Sequence, residues 1–269
     1  MLSSSGRTIK TDLKFEVDQH NQSYENCVFT RLVGKNIKFS NVSFKYTHFD
    51  GSYLRNCIFD SCDFTGVRFI ASNFYGSKFS GCKFSYATFE RTIIDTNILS
   101  TECPGEENLK LRFARSLRMN FQQIGDVDAV NKAILVELHA TGMHLHKAWR
   151  SNESYYRKKY VGINRFQEFL KWINFKILDF IWGNGESFPK LIRTILVMLL
   201  VIALADLALY QGLRSWSDVG GSLSESPKIF FGITHPDIFN ESFLTAINII
   251  RLILFGFFMS IIIKRFNRR

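Results

Sequence analysis

The stretch "CDFTGVRFIASNFYGSKFSGCKF", residues 62–84, places Phe64, Phe69, Phe74, Phe79 and Phe84 five residues apart. A helix repeats its buried face every 3.6 residues and a strand every two, so a period of five fits neither. Carried in both directions, the register has centres at Phe29, Gly34, Phe39, Phe44, Phe49, Leu54, Phe59, Phe64, Phe69, Phe74, Phe79, Phe84, Phe89, Ile94 and Leu99. Only Gly34 is not a large apolar residue. The residue two before each centre is small or apolar, as at Cys27, Val42, Thr47, Cys57, Cys62, Ser72, Ser77 and Cys82. In extended chain, residues two apart point to one side, so each unit sends one large and one small side chain inward. Five is odd, and a straight strand would flip its centre to the other face at every repeat. The chain escapes only by turning once per unit, and turn residues follow the centres at Asn36, Asn41, Gly51, Asn56, Gly66, Gly76 and Gly81. A turn of about a quarter circle per unit closes a coil of about twenty residues, and coils stack at the strand spacing of roughly 4.8 Å.

Residues 24–101 therefore resemble the pentapeptide repeat family, whose members form a right-handed quadrilateral β-helix. A period this short marks a solenoid. Fourteen of fifteen centres match. Open coil ends expose backbone and need caps; residues 1–23, and the helix after residue 105, are the candidates. Four of the five cysteines (Cys27, Cys57, Cys62, Cys82) occupy the small inward position, where they read as buried small hydrophobes. With no CxxC pair, a reducing compartment is expected.

After "STECPGEEN" breaks the repeat, a helical pattern places Phe113, Leu117, Phe121 and Ile124 on one face. Gly125 and Asp126 interrupt it, and Asp126 suits the N-cap of a second helix carrying Val127, Val130, Ile134 and Leu138. Residues 106–160 thus read as a helical linker. Residues 164–186 read as an amphipathic helix at a membrane interface. Residues 191–210 and 243–263, within a module at 188–269, are each long enough to span a bilayer, which takes about twenty residues. The chain carries 34 Lys and Arg against 24 Asp and Glu. The basic residues cluster at the two ends of the spans, with Lys190 and Arg193 before the first and Lys264, Arg265, Arg268 and Arg269 after the second. The positive-inside rule then puts both chain ends in the cytoplasm. The opening segment lacks an apolar signal-peptide core.

The C-terminal part looks like a subgroup of bacterial pentapeptide repeat proteins that end in a two-helix, potassium-channel-like module. "NFQQIGDVDAVNKAILVELHA" (with Glu137), "WGNGESFPKLIRT" and "RLILFGFFMSIIIKRFNRR" carry that likeness. It implies an oligomer, most simply a tetramer, in the bacterial inner membrane, with a short pore helix and a filter, a re-entrant or pore-like loop, between the spans. In "SPKIFFGITHPDIF" the filter position holds Thr234, His235, Pro236 and Asp237. No glycine follows Gly232 to let carbonyls line a path, so a potassium-selective filter is not supported. A wider pore and a loop that conducts nothing both stay open.

Asp206 and Arg251 lie inside the hydrophobic stretches, where a lone charge is costly. An ion pair between them, fixing the hairpin or joining subunits, is the structural expectation; a place on a pore is the functional one. Gly256 and Ser260 form a small-xxx-small pair suited to close helix contact or a hinge. His139, His144 and His146 sit near Glu137, but 144 and 146 point to different sides of a helix, and no metal site is expected. No cofactor motif or catalytic constellation is found, and no enzyme is expected.

Two functions remain. One is an oligomeric channel or pore with a cytoplasmic solenoid as sensor, assembly element or docking face for a protein trigger; a membrane-depolarising effector, for example in phage defence, is one form of it. The other is a membrane-anchored scaffold whose solenoid binds a partner protein. DNA mimicry needs an acidic surface, and residues 24–101 carry nine basic against six acidic residues. No nucleic-acid partner is expected.

Overall fold

The computed structural model describes residues 6–208, 216–234, 236 and 239–267; the side chains of residues 216, 217 and 267 lie outside this description. The chain divides into two compact units, residues 1–168 and 169–269.

The first unit opens with a parallel-strand β-solenoid of about 4 turns. One face is a five-stranded sheet built from Thr8–Thr11, Cys27–Thr30, His48–Asp50, Arg68–Ile70 and Thr88–Glu90. A second has four strands and a third has three. The fourth is a column of single bridges linking Ser23, Ser43, Asp63 and Lys83. Strands pair in parallel with their counterparts twenty residues on, so Phe49 lies over Phe69 and Phe69 over Phe89. The corners are the backbone's answer to an odd period. A left-handed φ recurs every five residues from Asn21 to Arg91, and from Arg31 onward it falls two after each centre. Gly and Asn accept that conformation readily, but Arg31, Tyr46, Ser61, Ala71, Tyr86 and Arg91 adopt it too. Each such residue costs about 1–2 kcal/mol, which the ladders on both sides offset.

Inside, the rings stack in columns. Phe44, Phe64 and Phe84 are nearly parallel, with centroids 5.2 and 5.0 Å apart. Phe39, Phe59 and Phe79 stack at 4.8 and 5.0 Å. Burying each ring contributes on the order of 2 kcal/mol. Every centre is buried except Phe79, which is partly covered at the end of its sheet. The small inward position has a hydrogen-bonding role beyond filling space. Ser72 Oγ donates to Phe49 O (3.2 Å) and accepts from Ser52 N–H (3.0 Å). Ser77 does the same between Leu54 O and Cys57 N–H. Cys62 and Cys82 point their thiols at the equivalent carbonyls, Phe39 O and Phe59 O, both at 3.4 Å. The cysteines are thus weak-donor substitutes for serine in a repeated role, and all five are free thiols.

Two boundaries differ from expectation. Residues before 24, expected as a cap, wind as a further coil: Thr8–Thr11 pairs with Cys27–Thr30 and Lys14–Phe15 with Val33–Gly34. Its first two strands pair at an offset of nineteen, which hides them from the period of five, and Gln19–His20 returns to an offset of twenty against Phe39–Ser40. The coil also explains Gly34. A Cβ there would meet Leu54 Cδ2 at 2.8 Å and Phe15 Cβ at 3.7 Å, so its neighbours already fill the space. At the other end the strand pairing stops at Ile93. The last centre, Leu99, enters the core from a helical turn, α1 (Ile98–Thr101).

Helix α2 (Glu107–Ile124) then covers the open end of the five-stranded sheet. Phe113, Leu117 and Phe121 face the solenoid core, whereas Ile124 is 37% exposed. Three polar residues of α2 take up the unpaired edge. Ser116 Oγ accepts from Phe89 N–H (2.8 Å), and Gln123 Oε1 accepts from Arg91 N–H (3.0 Å). Asn120, fully buried, accepts from Thr92 N–H (2.7 Å) and donates to Thr92 O (2.8 Å). A left-handed Gly125 ends α2, and the Asp126 side chain caps α3 (Val127–Arg150) through Ala129 N–H. Glu137 on α3 joins the pair by accepting from Arg115 Nε (2.9 Å) and Arg118 Nε (2.7 Å). The short helix α4 (Ser154–Lys159) and the start of α5 (Ile163–Trp182) follow.

The second unit holds the rest of α5, then α6 (Phe188–Asp206), α7 (Trp216–Phe231) and α8 (Glu241–Asn267). Between α6 and α8, where a short pore helix and a filter were expected, the described residues include the 16-residue helix α7. Pro227 lies within α7 and cannot donate to Leu223 O; Ser226 Oγ supplies that bond at 3.1 Å.

Candidate functional site

The candidate site is the helical module of residues 188–267. Helices α6 and α8 are long and apolar enough to cross a membrane. At 1.5 Å per residue they reach roughly 28 and 40 Å, against a hydrocarbon core of about 30 Å. Their outward faces are apolar and uncovered, with Leu196 59% and Leu252 66% exposed. Water would penalise such surface, whereas lipid does not.

Inside the module, Leu191, Ile202, Ile229, Phe230, Phe239, Ile247, Leu254 and Ile261 form one apolar cluster. Against it, α7 buries a polar edge: Ser222 and Ser226, four residues apart, are each 1% exposed. Ser222 Oγ donates to Asp206 Oδ2 at 2.6 Å, and Asp206 itself is buried. The Asp206–Arg251 ion pair expected from the sequence does not form within the chain, because α7 engages each residue separately. Arg251 lies against Gly232, which ends α7 in a left-handed conformation. A Cβ at Gly232 would collide with the guanidinium. The charge thereby sits at the carboxyl end of α7, the negative end of its dipole.

Of the filter-position residues, His235 and Asp237 lie outside the described residues. Thr234 donates its N–H to Lys228 O at 3.4 Å, and Pro236 O accepts from Phe239 N–H at 3.1 Å. Gly256 and Ser260 do not seat a neighbouring helix within the chain. A Cβ on Gly256 would meet nothing within 4 Å, since α8 turns Leu254 and Ile261 inward instead.

The base of the module carries residues that sequence reading left without roles. Gly183, Asn184 and Gly185 all have positive φ and make the tight turn after α5. Trp182 stacks on Phe257 at 4.2 Å. Glu186 faces Lys264 at 3.4 Å and Asp179 pairs with Lys190 at 2.8 Å. The Ser187 side chain caps α6 by accepting from Lys190 N–H. The "WGNGES" string is thus a hinge-like turn tied to the feet of both apolar helices. On α5, Ile163, Phe166, Leu170, Ile177 and Phe180 expose an apolar stripe.

In the first unit, His144 places Nδ1 3.3 Å from Tyr156 Oη and Nε2 3.2 Å from Tyr160 Oη. Burial, then the nearby Lys159, holds its pKa below the usual histidine value. His146 turns away to meet the Trp149 ring edge-on. Among the described residues, no group of His, Cys, Asp and Glu could hold a metal ion.

Comparison with known proteins gives the repeat region its identity. Residues 24–68 match a family model of pentapeptide repeats, and residues 62–95 match a second model of the same description. Two solved structures are similar over the solenoid. One is a pentapeptide repeat protein (Rfr23) from the cyanobacterium Cyanothece 51142, 14% identical, TM-score 0.24, over 29% of this chain and 64% of that one. The other is QnrB1, described as a plasmid-mediated fluoroquinolone resistance protein: 16% identical, TM-score 0.20, over 32% of this chain and 62% of that one. The chain thus spans less than two thirds of either structure. No curated protein matches it.

Proposed function

We propose that this pentapeptide-repeat protein is the subunit of an oligomeric membrane pore. In this reading α6 and α8 span the bacterial inner membrane, both chain ends are cytoplasmic, and the solenoid is an assembly or docking element for a protein trigger. The observation that carries it is the buried Asp206–Ser222 contact between an apolar span and the polar helix α7. An anchor has no use for a buried carboxylate, because burying one in an apolar environment is costly. A pore-forming chain does, since α7 must be held against the spans to line a path between copies. Uncovered Gly256 then supplies a close contact for a neighbouring α8 in the assembly. Depolarisation of the cell, as in defence against phage, is the physiological form this activity would take.

One hairpin cannot enclose a path, so copies must close into a ring. Native mass spectrometry of the detergent-solubilised chain tests this. A single closed oligomer, most simply a tetramer, is the expected species. A monomer in every mild detergent would remove the pore reading and leave an anchored scaffold.

A further inference from the structure

Helix α2 and the end of the five-stranded sheet enclose a groove of about 440 Å³. Arg68 and Thr88 line it from the sheet, where they occupy the same outward position of consecutive coils. Arg112, Arg115, Ser116 and Met119 line it from α2. Their spacing of three, four and seven puts them on one helix face. Among the described residues, Arg68 and Arg112 make no side-chain hydrogen bond or ion pair. Arg115 gives Nε to Glu137 and engages no other described residue through its remaining nitrogens. Glu90 also lines the groove and pairs with Arg91 at 3.2 Å. His48 stands next to Arg68 across the ladder, and its pKa is lowered by burial and then by Arg7 and Arg68.

Arg68 and Arg112 face the groove without an ion pair among the described residues, and an anion there offsets their repulsion. The planar fork of arginine matches phosphate oxygens in pairs. Ser116 Oγ already accepts from Phe89 N–H, so its own proton is free to donate outward. Met119, 52% exposed, offers an adaptable apolar wall. The volume falls in the range of small-molecule sites, about 300–1,000 Å³. An acidic polypeptide fits less well, because the next outward column of the sheet carries Asp50 and Glu90.

We propose that this groove binds a phosphate-bearing small molecule of nucleotide size. Arg68, Arg112 and Arg115 hold the phosphates, and Met119 supports the apolar part. The site stands apart from the conduction reading and needs no pore.

The test is calorimetric titration of the full detergent-solubilised chain with ATP, and separately with inorganic pyrophosphate. Saturable binding at about one site per chain is expected, with each probe competing against the other. The double variant Arg68→Ala/Arg112→Ala weakens it by at least about tenfold, the scale of two charge-assisted contacts. Arg31→Ala, at a residue paired instead with Asp12, leaves it unchanged. Should the double variant fail to fold, Arg112→Glu on the exposed helix face gives the same readout. Absence of saturable binding at millimolar probe overturns the proposal. So does binding that survives the folded double variant or Arg112→Glu.

Discussion

Phe64 lies between Phe44 and Phe84 with its ring parallel to both, and none of its surface reaches solvent. Truncating it removes a rung from a column that cannot collapse, because the coils above and below are fixed by their own ladders. Phe64→Ala is expected to destabilise the chain by about 3–5 kcal/mol. Phe79→Ala, at a partly covered ring, costs less. Denaturation midpoints of the two variants in one detergent check this, and equal losses would contradict the stacked-column account. The centres were legible because the inner column demands a large apolar residue at each fifth position. Gly34 was not, because its partner Phe15 follows a register of nineteen. The Asp206–Arg251 pair within one chain was misjudged for a different reason: it rested on depth and reach and left out α7, which meets both residues.

At the scale of elements, the apolar face of α2 was visible in Phe113, Leu117 and Phe121. Its capping function was expected from the open coil end, but the residues that carry it were not, since Ser116, Asn120 and Gln123 look like ordinary polar residues of an exposed helix. The one signal was Asn120 beside the apolar stripe, a position that turned out to be buried. Asn120→Ala leaves the N–H and C=O of Thr92 without their partners, at about 1–3 kcal/mol for each buried group. A loss of about 3 kcal/mol and faster amide exchange at Thr92 are expected; exchange unchanged from the native chain would contradict the cap. The family likeness implied a short helix between the apolar stretches, but the full length of α7 was not legible because Gly220, Gly221 and Pro227 all argue against a helix, and Ser226 repairs the Pro227 defect only in three dimensions. The contact of α3 with α4 carries a pH dependence. His144 has a folded pKa below its ordinary 6.5, so the unfolded chain binds the proton more readily. Its contribution is complete above about pH 6.5 and is lost as pH falls through the folded value. Thermal melts between pH 5 and 8 should show stability of the first unit falling on the acid side. His144→Gln should flatten that slope.

For the whole molecule, the repeat specified the column and the two apolar stretches specified two helices long and apolar enough to cross a membrane, because both signals are long and redundant. Conduction depends on contacts between copies, which one sequence does not encode in any local pattern. The central claim is that α6, α7 and α8 from several copies form a conducting path seated by Asp206. Asp206→Asn keeps an acceptor for Ser222 and preserves the fold, while removing a buried charge from the module. The most direct test is ion flux from salt-loaded liposomes containing the purified chain. It is run beside Asp206→Asn and a chain in which residues 188–267 are replaced by an unrelated two-span anchor. The account predicts flux from the native chain, altered flux from Asp206→Asn and none from the anchored solenoid. No flux from native protein shown to be folded, inserted and oligomeric, including after ATP is added to the solenoid side, would contradict it.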